Sequence, residues 1–372
     1  MKTGSERRIV IKVGTSTLTK SDGLLDSAQL KNVSEQIAAL VELGYEIALV
    51  SSGAIRAGMA RLGLTAIHSL RESQAAEAVG QGLLMHLYHE LFQQHDMTVA
   101  QILLSAQDFR DRRRYLNARN TFFTLFEQKA LPIINENDTV AVDEIKFGDN
   151  DNLAAQVTGL INAGTLVFLS DIDGLHARTN NKLTERIGQV HRITPEIEAL
   201  AGAAGSKHSR GGMITKINGA RIAIEGGAHV YIANGRDKNI LQRLLEGEDV
   251  GTHFHPQTDW LDSRKRWIGM SSSDAGTLKV DVGAGKRLIA ESVSLLAIGI
   301  IEVSGEFRAG DVVRIIDGDD HEIGRGLSNY NAEEIAKIKG LHSRHFPQIL
   351  GYCGDPEVVH RNNMFTFKGR KE

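Results

Sequence analysis

Residues 8–53 read RIVIKVGTSTLTKSDGLLDSAQLKNVSEQIAALVELGYEIALVSSG, and this stretch decides the fold class. Arg8–Val13 and Glu46–Val50 are short β-rich runs. Between them, Asp26–Leu43 places apolar residues at Leu30, Val33, Ile37, Leu40 and Val41, the period of an amphipathic helix. The alternation continues outward. Strand-like runs at Met97–Leu104, Leu131–Asn135, Leu166–Leu169 and Val230–Ala233 are spaced by helical patterns at Ala75–His95, Ala118–Gln128, Asn152–Asn162 and Gly212–Glu225. Strands separated by helices predict an α/β fold with a mostly parallel sheet and helices on both faces.

After His255 the pattern changes. Gly276–Val282, Lys286–Ile289, Ile300–Val303, Asp311–Ile316 and Glu322–Ser328 read as short strands, with Asp317-Gly318-Asp319-Asp320 a turn between two of them. The expected organisation is a first domain over 1–255, a polar linker over 256–275 and a small β-rich domain over 276–372. No period of 20–50 residues repeats, which argues against a solenoid.

The 372 residues are 41% apolar and 24% charged with a net charge of −3, a balance that fits globular domains and lacks the basic excess of a nucleic-acid binder. From Pro256 onward, 16 Lys/Arg face 17 Asp/Glu, so the second domain is near neutral and strong phosphate-backbone binding is not expected there. Glycine is abundant at 38 and proline scarce at 5, which suggests tight turns and close backbone approach. The single cysteine, Cys353, excludes an intrachain disulfide and a cysteine-based zinc site, and it fits a reducing, cytoplasmic compartment. The longest apolar stretch, near Ser294–Val303, is too short to span a membrane, and Lys12 interrupts the first apolar run before it could serve as a signal core. The 14 histidines show no ligand spacing and read as surface or packing residues.

Ligands of open α/β sheets bind at the carboxyl ends of the strands. Five such ends carry polar or glycine-rich clusters. Lys12-Val13-Gly14-Thr15-Ser16 offers a lysine that can reach a phosphate, or a plain edge lysine. Ser51-Ser52-Gly53-Ala54 opens a helix and suits an anion, or is an ordinary cap. Asn135-Glu136-Asn137-Asp138 suits a small polar ligand carrying an amine or carboxylates. Lys146 with Gly148-Asp149-Asn150-Asp151-Asn152 could be a turn and cap, and it lacks the Gly and Glu positions of a calcium loop. Ser170-Asp171 is followed far downstream by Arg210-Gly211-Gly212-Met213-Ile214-Thr215-Lys216, a glycine pair opening a helix that could cradle phosphates. There is no G-x-x-x-x-G-K-[ST] loop, no G-x-G-x-x-G, no H-E-x-x-H and no G-x-S-x-G.

In this order the five clusters resemble the amino-acid kinase family, and within it the members that phosphorylate glutamate. Gly305-Glu306-Phe307 and Gly310-Asp311-Val312-Val313 resemble a PUA domain. The resemblance implies a three-layer αβα sandwich and transfer of the γ-phosphoryl of ATP to the γ-carboxylate of L-glutamate, the first step of proline biosynthesis. It implies that Lys12 and Lys216 contact the transferring phosphoryl group and that Asp151 positions them. Ser52, Asp138 and Asn150 would bind glutamate, with Asn135, Lys146 and Asp149 nearby. Lys12, Ser170, Asp171, Arg210, Gly211, Gly212, Met213, Ile214, Thr215 and Lys216 would bind ATP. Mg2+ would arrive with ATP, with no further metal. A homo-oligomer (dimer or tetramer), transfer of product to a glutamyl phosphate reductase, and inhibition by proline are implied as well. The sequence departs from the family at Arg210, where Thr or Ser is usual, and carries Ser170 where Thr is common. The alternatives are a different acceptor on the same fold, or an RNA-binding protein led by the second domain.

Overall fold

The computed structural model describes residues 4–20, 23–140, 150–179, 182–202, 212–256, 268, 275–291, 293–352 and 354–367. The chain divides into two compact units, Met1–Trp260 and Leu261–Glu372. Apart from Pro256, Ile268 and Ala275, the expected linker lies outside the described residues.

The first unit runs β1 (Arg8–Val13), α1 (Thr15–Leu18), α2 (Ser27–Glu42), β2 (Glu46–Ser51), α3 (Ala54–Leu62), α4 (Leu70–Gln93) and β3 (Thr98–Leu104). It continues through α5 (Ala106–Arg110), α6 (Arg112–Glu127), β4 (Ala130–Glu136), α7 (Asn150–Leu160), β5 (Thr165–Ser170) and a hairpin of β6 (His176–Thr179) and β7 (Lys182–Arg186). It ends with β8 (Gln189–Val190), α8 (Pro195–Gly202), α9 (Met213–Glu225), β9 (His229–Asn234), α10 (Ile240–Leu245) and β10 (Gly251–Phe254). Eight strands form one sheet in the order β3-β4-β2-β1-β5-β9-β10-β8. Every neighbouring pair is parallel except β9 and β10.

The sequence explains this arrangement directly at the centre. Ile9, Val10, Ile11 and Val13 of β1 are buried, as a strand covered on both faces requires. Leu30, Val33, Ile37 and Leu40 of α2 join Ile9, Ile11 and Leu49 in the same core. Asp26 starts α2 by accepting a hydrogen bond from the Gln29 backbone N–H. Where helical patterning alone predicted a start at Ala75, α4 begins at Leu70, because the Ser69 hydroxyl accepts from the Glu72 backbone N–H and adds a turn. The helix expected after Ser51–Gly53 is α3, whereas α8, α10, β10 and the β6–β7 hairpin are too short or too weakly patterned to have been expected.

α3 and α4 cross with their backbones in contact. A Cβ at Gly58 would lie 1.7 Å from the Ala76 carbonyl oxygen, and one at Gly80 would lie 1.7 Å from that of Ala54. Only glycine fits at either position. The tight crossing delivers the polar residues Glu77 and Gln81 to the end of β4.

The second unit has a five-stranded sheet in the order β12-β11-β13-β14-β15, from β11 (Gly276–Val280), β12 (Ile300–Gly305), β13 (Val312–Ile316), β14 (Glu322–Leu327) and β15 (Met364–Thr366). Its core contains Leu278, Val280, Val313, Ile315, Tyr330 and Phe346. One expected strand is corrected. Lys286–Ile289 lies within a helix, α11 (Val282–Ala290). Asp281 caps it by accepting from the Ala284 N–H, and Gly285 and Leu288, three apart, form its buried face. Four residues, of which only Leu288 and Ile289 are apolar, cannot distinguish strand from helix; the upstream cap decides. No helix among the described residues is long and apolar enough to cross a membrane.

Candidate active site

The first two residues of α7 organise the carboxyl edge of the sheet. Asp151 is fully buried, and two lysines meet its carboxylate: Lys12 Nζ lies 2.7 Å from Oδ1 and Lys216 Nζ 3.2 Å from Oδ2. The Thr215 hydroxyl donates to Oδ2 at 2.7 Å. Burial by itself would raise the Asp151 carboxyl, but the two lysines and the threonine outweigh it and hold it down to about 2. Two ammonium groups sharing one carboxylate leave one unit of positive charge in surplus within this trio. Lys12 comes from the end of β1, Asp151 from α7 and Lys216 from the first turn of α9. α9 reaches α7 because residue 219 is glycine: a Cβ there would lie 2.9 Å from the Asp151 carbonyl oxygen and 3.1 Å from the Phe168 ring.

Asn150, the preceding residue, anchors a second cluster. Its Nδ2 donates to Ser52 Oγ at 2.9 Å and to Asn135 Oδ1 at 2.9 Å. Asn135 Nδ2 in turn donates to Glu77 Oε1 at 2.5 Å and to Gln81 Oε1 at 3.0 Å. The two acceptors on α4 fix the Asn135 amide, which fixes the Asn150 amide. Ser52 Oγ, accepting from Asn150, keeps its own proton to donate. The cluster therefore presents a defined donor and acceptor pattern. Asp138 opens a short 3-10 turn after β4 and is half-buried.

Glu77 is the site residue that sequence patterning missed, together with Gln81. It is 3% exposed and its carboxyl is pushed up to about 8, first by burial and then by the nearby Asp138 and Glu136 carboxylates, against a backbone N–H bond from Ile55. A charged residue inside an otherwise helical, partly apolar stretch was the only signal available. Beneath Ser52, Ser51 Oγ and Tyr88 hydroxyl hydrogen-bond at 2.8 Å, with the Tyr88 hydroxyl driven upward by burial.

A third group lies at the end of β5. Ser170 is buried and its hydroxyl donates to the exposed Asp171 at 3.2 Å. Gly212 precedes α9, Met213 is buried, and Ile214 is 42% exposed. Gly212, at the N-cap of α9, has no side chain to cap the first backbone N–H groups of the helix. Of the expected site residues, Lys146, Asp149, Arg210 and Gly211 lie outside the described residues. Lys12, Asp151, Thr215 and Lys216 are brought together, as are Ser52, Asn135 and Asn150.

A model of the amino acid kinase family matches residues 7–234, and a PUA domain model matches residues 276–350. Glutamate 5-kinase of Moorella thermoacetica is 46% identical over 365 residues, covering 97% of this chain and 96% of its own. Glutamate 5-kinase of Herpetosiphon aurantiacus is 47% identical over 363 residues, covering 97% and 98%. Among solved structures, carbamate kinase from Giardia lamblia bound to AMP-PNP aligns with a TM-score of 0.50 at 16% identity, over 68% of this chain and 100% of that one. That likeness concerns the fold alone. A family model spanning more than half of the sequence, and relatives matched along nearly all of it, carry the conclusion that the chain belongs to the amino acid kinase family.

Proposed function

We propose that this chain is an ATP-dependent kinase that transfers the γ-phosphoryl group of ATP to the γ-carboxylate of L-glutamate, giving L-glutamyl 5-phosphate and ADP. The observation that carries the reading is the start of α7, where adjacent residues join a polar pocket, Asn150 with Ser52 and Asn135, to a buried lysine pair on Asp151. An acceptor held by the first cluster has its reacting carboxylate beside the second.

A γ-carboxylate is ionised at neutral pH, so its oxygen attacks phosphorus without a general base. The new O–P bond forms as the bond from the γ-phosphorus to the β–γ bridging oxygen breaks, and ADP carries away that oxygen with its electron pair. The difficulty is bringing two anions together, and positioned positive charge answers it. Lys12 and Lys216 supply that charge, and Asp151 keeps both ammonium groups in place without neutralising them fully. Ser52, Asp138 and Asn150 bind glutamate, with Asn135, Asp149 and Lys146 around it. Ser170, Asp171 and the stretch Arg210–Lys216 hold ATP, whose phosphates take the uncapped N–H groups of α9.

ATP would bring Mg2+ with it, and the ion would screen phosphate charge. Asp151 is committed to two lysines and a threonine, so the metal is carried by the phosphates. The same reading extends to a cytoplasmic homo-oligomer that is inhibited by proline and passes its labile product to a glutamyl phosphate reductase. In it the kinase domain closes at residue 255, 256–275 is a linker, and the PUA-like domain fills 276–372.

The test is ADP release with each candidate acceptor, with hydroxylamine to trap an acyl phosphate. L-Glutamate is expected to drive ADP release and hydroxamate formation, with aspartate, N-acetylglutamate and carbamate inactive. Lys216→Ala is expected to fold and to lose at least about 100-fold in turnover, as removal of a transition-state charge does. No glutamate-dependent ADP would end the reading, and near-normal turnover in the variant would end the role of Lys216.

A further inference from the structure

The strand register gathers histidines that the sequence keeps apart. β10 runs antiparallel to β9 with His253 beside Tyr231 and Phe254 beside Val230, so His255 falls beside His229. β10 runs parallel to β8 with Phe254 beside Val190, which brings His191 to the other side of His255. Side chains two apart on a strand share a face, so His253 and His255 point the same way. Four imidazoles from three strands thus crowd one face at the edge of the sheet. His253 and His255 rings lie 4.0 Å apart, and His191 stacks on His255 at 4.2 Å.

Three of them are close enough to share an ion. One ring nitrogen from each of His229, His253 and His255 lies within 4.8 Å of the others. His229 Nδ1 and His253 Nε2 are already 3.0 Å apart. Tetrahedral zinc with Zn–N bonds of about 2.0–2.1 Å separates its ligand nitrogens by about 3.3 Å, so one pair is at bite distance and the third ring needs a small rotation.

We propose that His229, His253 and His255 form a binding site for one divalent transition metal of the zinc class. Imidazole suits zinc, cobalt, nickel and copper, whereas magnesium and calcium prefer oxygen. Outer contacts support the ligands. Gln189 Oε1 lies 2.6 Å from His255 Nε2 and accepts its proton, which leaves Nδ1 as the lone-pair nitrogen of that ring. Tyr231 stacks on His253 at 4.3 Å and 15° and holds its plane. Binding replaces the His229–His253 hydrogen bond, and the bridging proton moves to the other nitrogen of its own ring.

The site is remote from the phosphoryl-transfer cluster. His229 is level with Thr165 at the start of β5, while Ser170 at its far end pairs with Asn234, a separation of about 17 Å along the strand. The ion would tie β9 to β10, the one antiparallel pair of the sheet, and so act as a staple on its edge.

The full chain, produced without a polyhistidine tag and stripped with a chelator, is titrated calorimetrically with Zn2+ and spectroscopically with Co2+. One ion per chain is expected. Co2+ should give the strong visible absorption of a four-coordinate site, and Zn2+ should raise the melting temperature. His229→Gln and His253→Gln are each expected to weaken binding at least tenfold, roughly what disturbing a ligand shell costs, and to abolish the rise in melting temperature. Glutamate-dependent ADP release should be unchanged in both. Melting curves without metal verify that the variants fold; if one does not, His255→Gln takes its place. Absence of stoichiometric Zn2+ or Co2+ binding would overturn the proposal. Undiminished binding in the folded variants would overturn it equally. Neither readout needs a substrate, so the result is independent of the proposed kinase activity.

Discussion

Glu77 shows how a single buried carboxyl couples a ligand pocket to stability. Its carboxyl lies near 8 in the fold against about 4.5 when exposed, so between those values the folded chain holds a proton that the unfolded chain releases. The stabilisation linked to Glu77 is fully present below about 4.5, declines as pH rises and is gone above about 8. Glu77→Gln keeps an acceptor for Asn135 and removes the titration. Its stability advantage over the parent is expected to grow between pH 5 and pH 8, by at most about 4 kcal/mol, since each pH unit in that window is worth about 1.4 kcal/mol. Urea unfolding of both proteins across that range measures it; parallel curves would place the Glu77 carboxyl in its ordinary range. Strand ends and a glycine pair drew attention to the segments of Lys12, Asp151 and Lys216, the family resemblance grouped them, and the structure places them in contact. Sequence reading missed Glu77 because a helix carries no mark of which face meets a strand end, and the Gly58–Gly80 crossing that brings it there is a tertiary event.

At the level of elements, α7 and α9 decide whether the lysine pair exists. Gly219 lies one turn beyond Lys216 and faces the Asp151 carbonyl oxygen. Alanine is the better helix former by about 1 kcal/mol, so propensity predicts that Gly219→Ala stabilises the chain. The geometry predicts the reverse. A methyl 2.9 Å from a backbone oxygen and 3.1 Å from the Phe168 ring forces α9 away from α7, and Lys216 moves off Asp151 with it. A lower melting temperature and a fall in turnover are expected together. A raised melting temperature with normal turnover would show that the two helices can separate without cost to the site. The strand–helix alternation was legible because parallel strands are buried on both faces and read as unbroken apolar runs, as in Ile9–Ile11. The histidine row was not, since it arises from register across β8, β9 and β10; only the His253-x-His255 spacing could have hinted at it. Lys286–Ile289 failed as a strand because the Asp281 cap, five residues earlier, commits the segment to a helix.

For the molecule as a whole, the question is whether the first unit suffices for chemistry. Its core cluster draws only on residues between Ile9 and Val250, and the second unit has a separate core from Leu278 to Met364. Every proposed catalytic and binding residue falls within the first unit, Met1–Trp260. Each unit also exceeds the size at which a single hydrophobic core sustains a fold. A chain ending at Trp260 is therefore expected to fold cooperatively and to release ADP in the presence of glutamate, with turnover within about tenfold of the full chain, a barrier change of no more than about 1.4 kcal/mol. The comparison is made by circular dichroism for folding and by the hydroxamate assay for chemistry. A folded but inactive fragment would mean that residues 261–372 complete the reaction machinery, and an unfolded fragment would mean that the second unit supplies stability the first lacks. Activity retained in the fragment, with any proline response lost, would assign the PUA-like unit to regulation and leave phosphoryl transfer to the residues gathered around the start of α7.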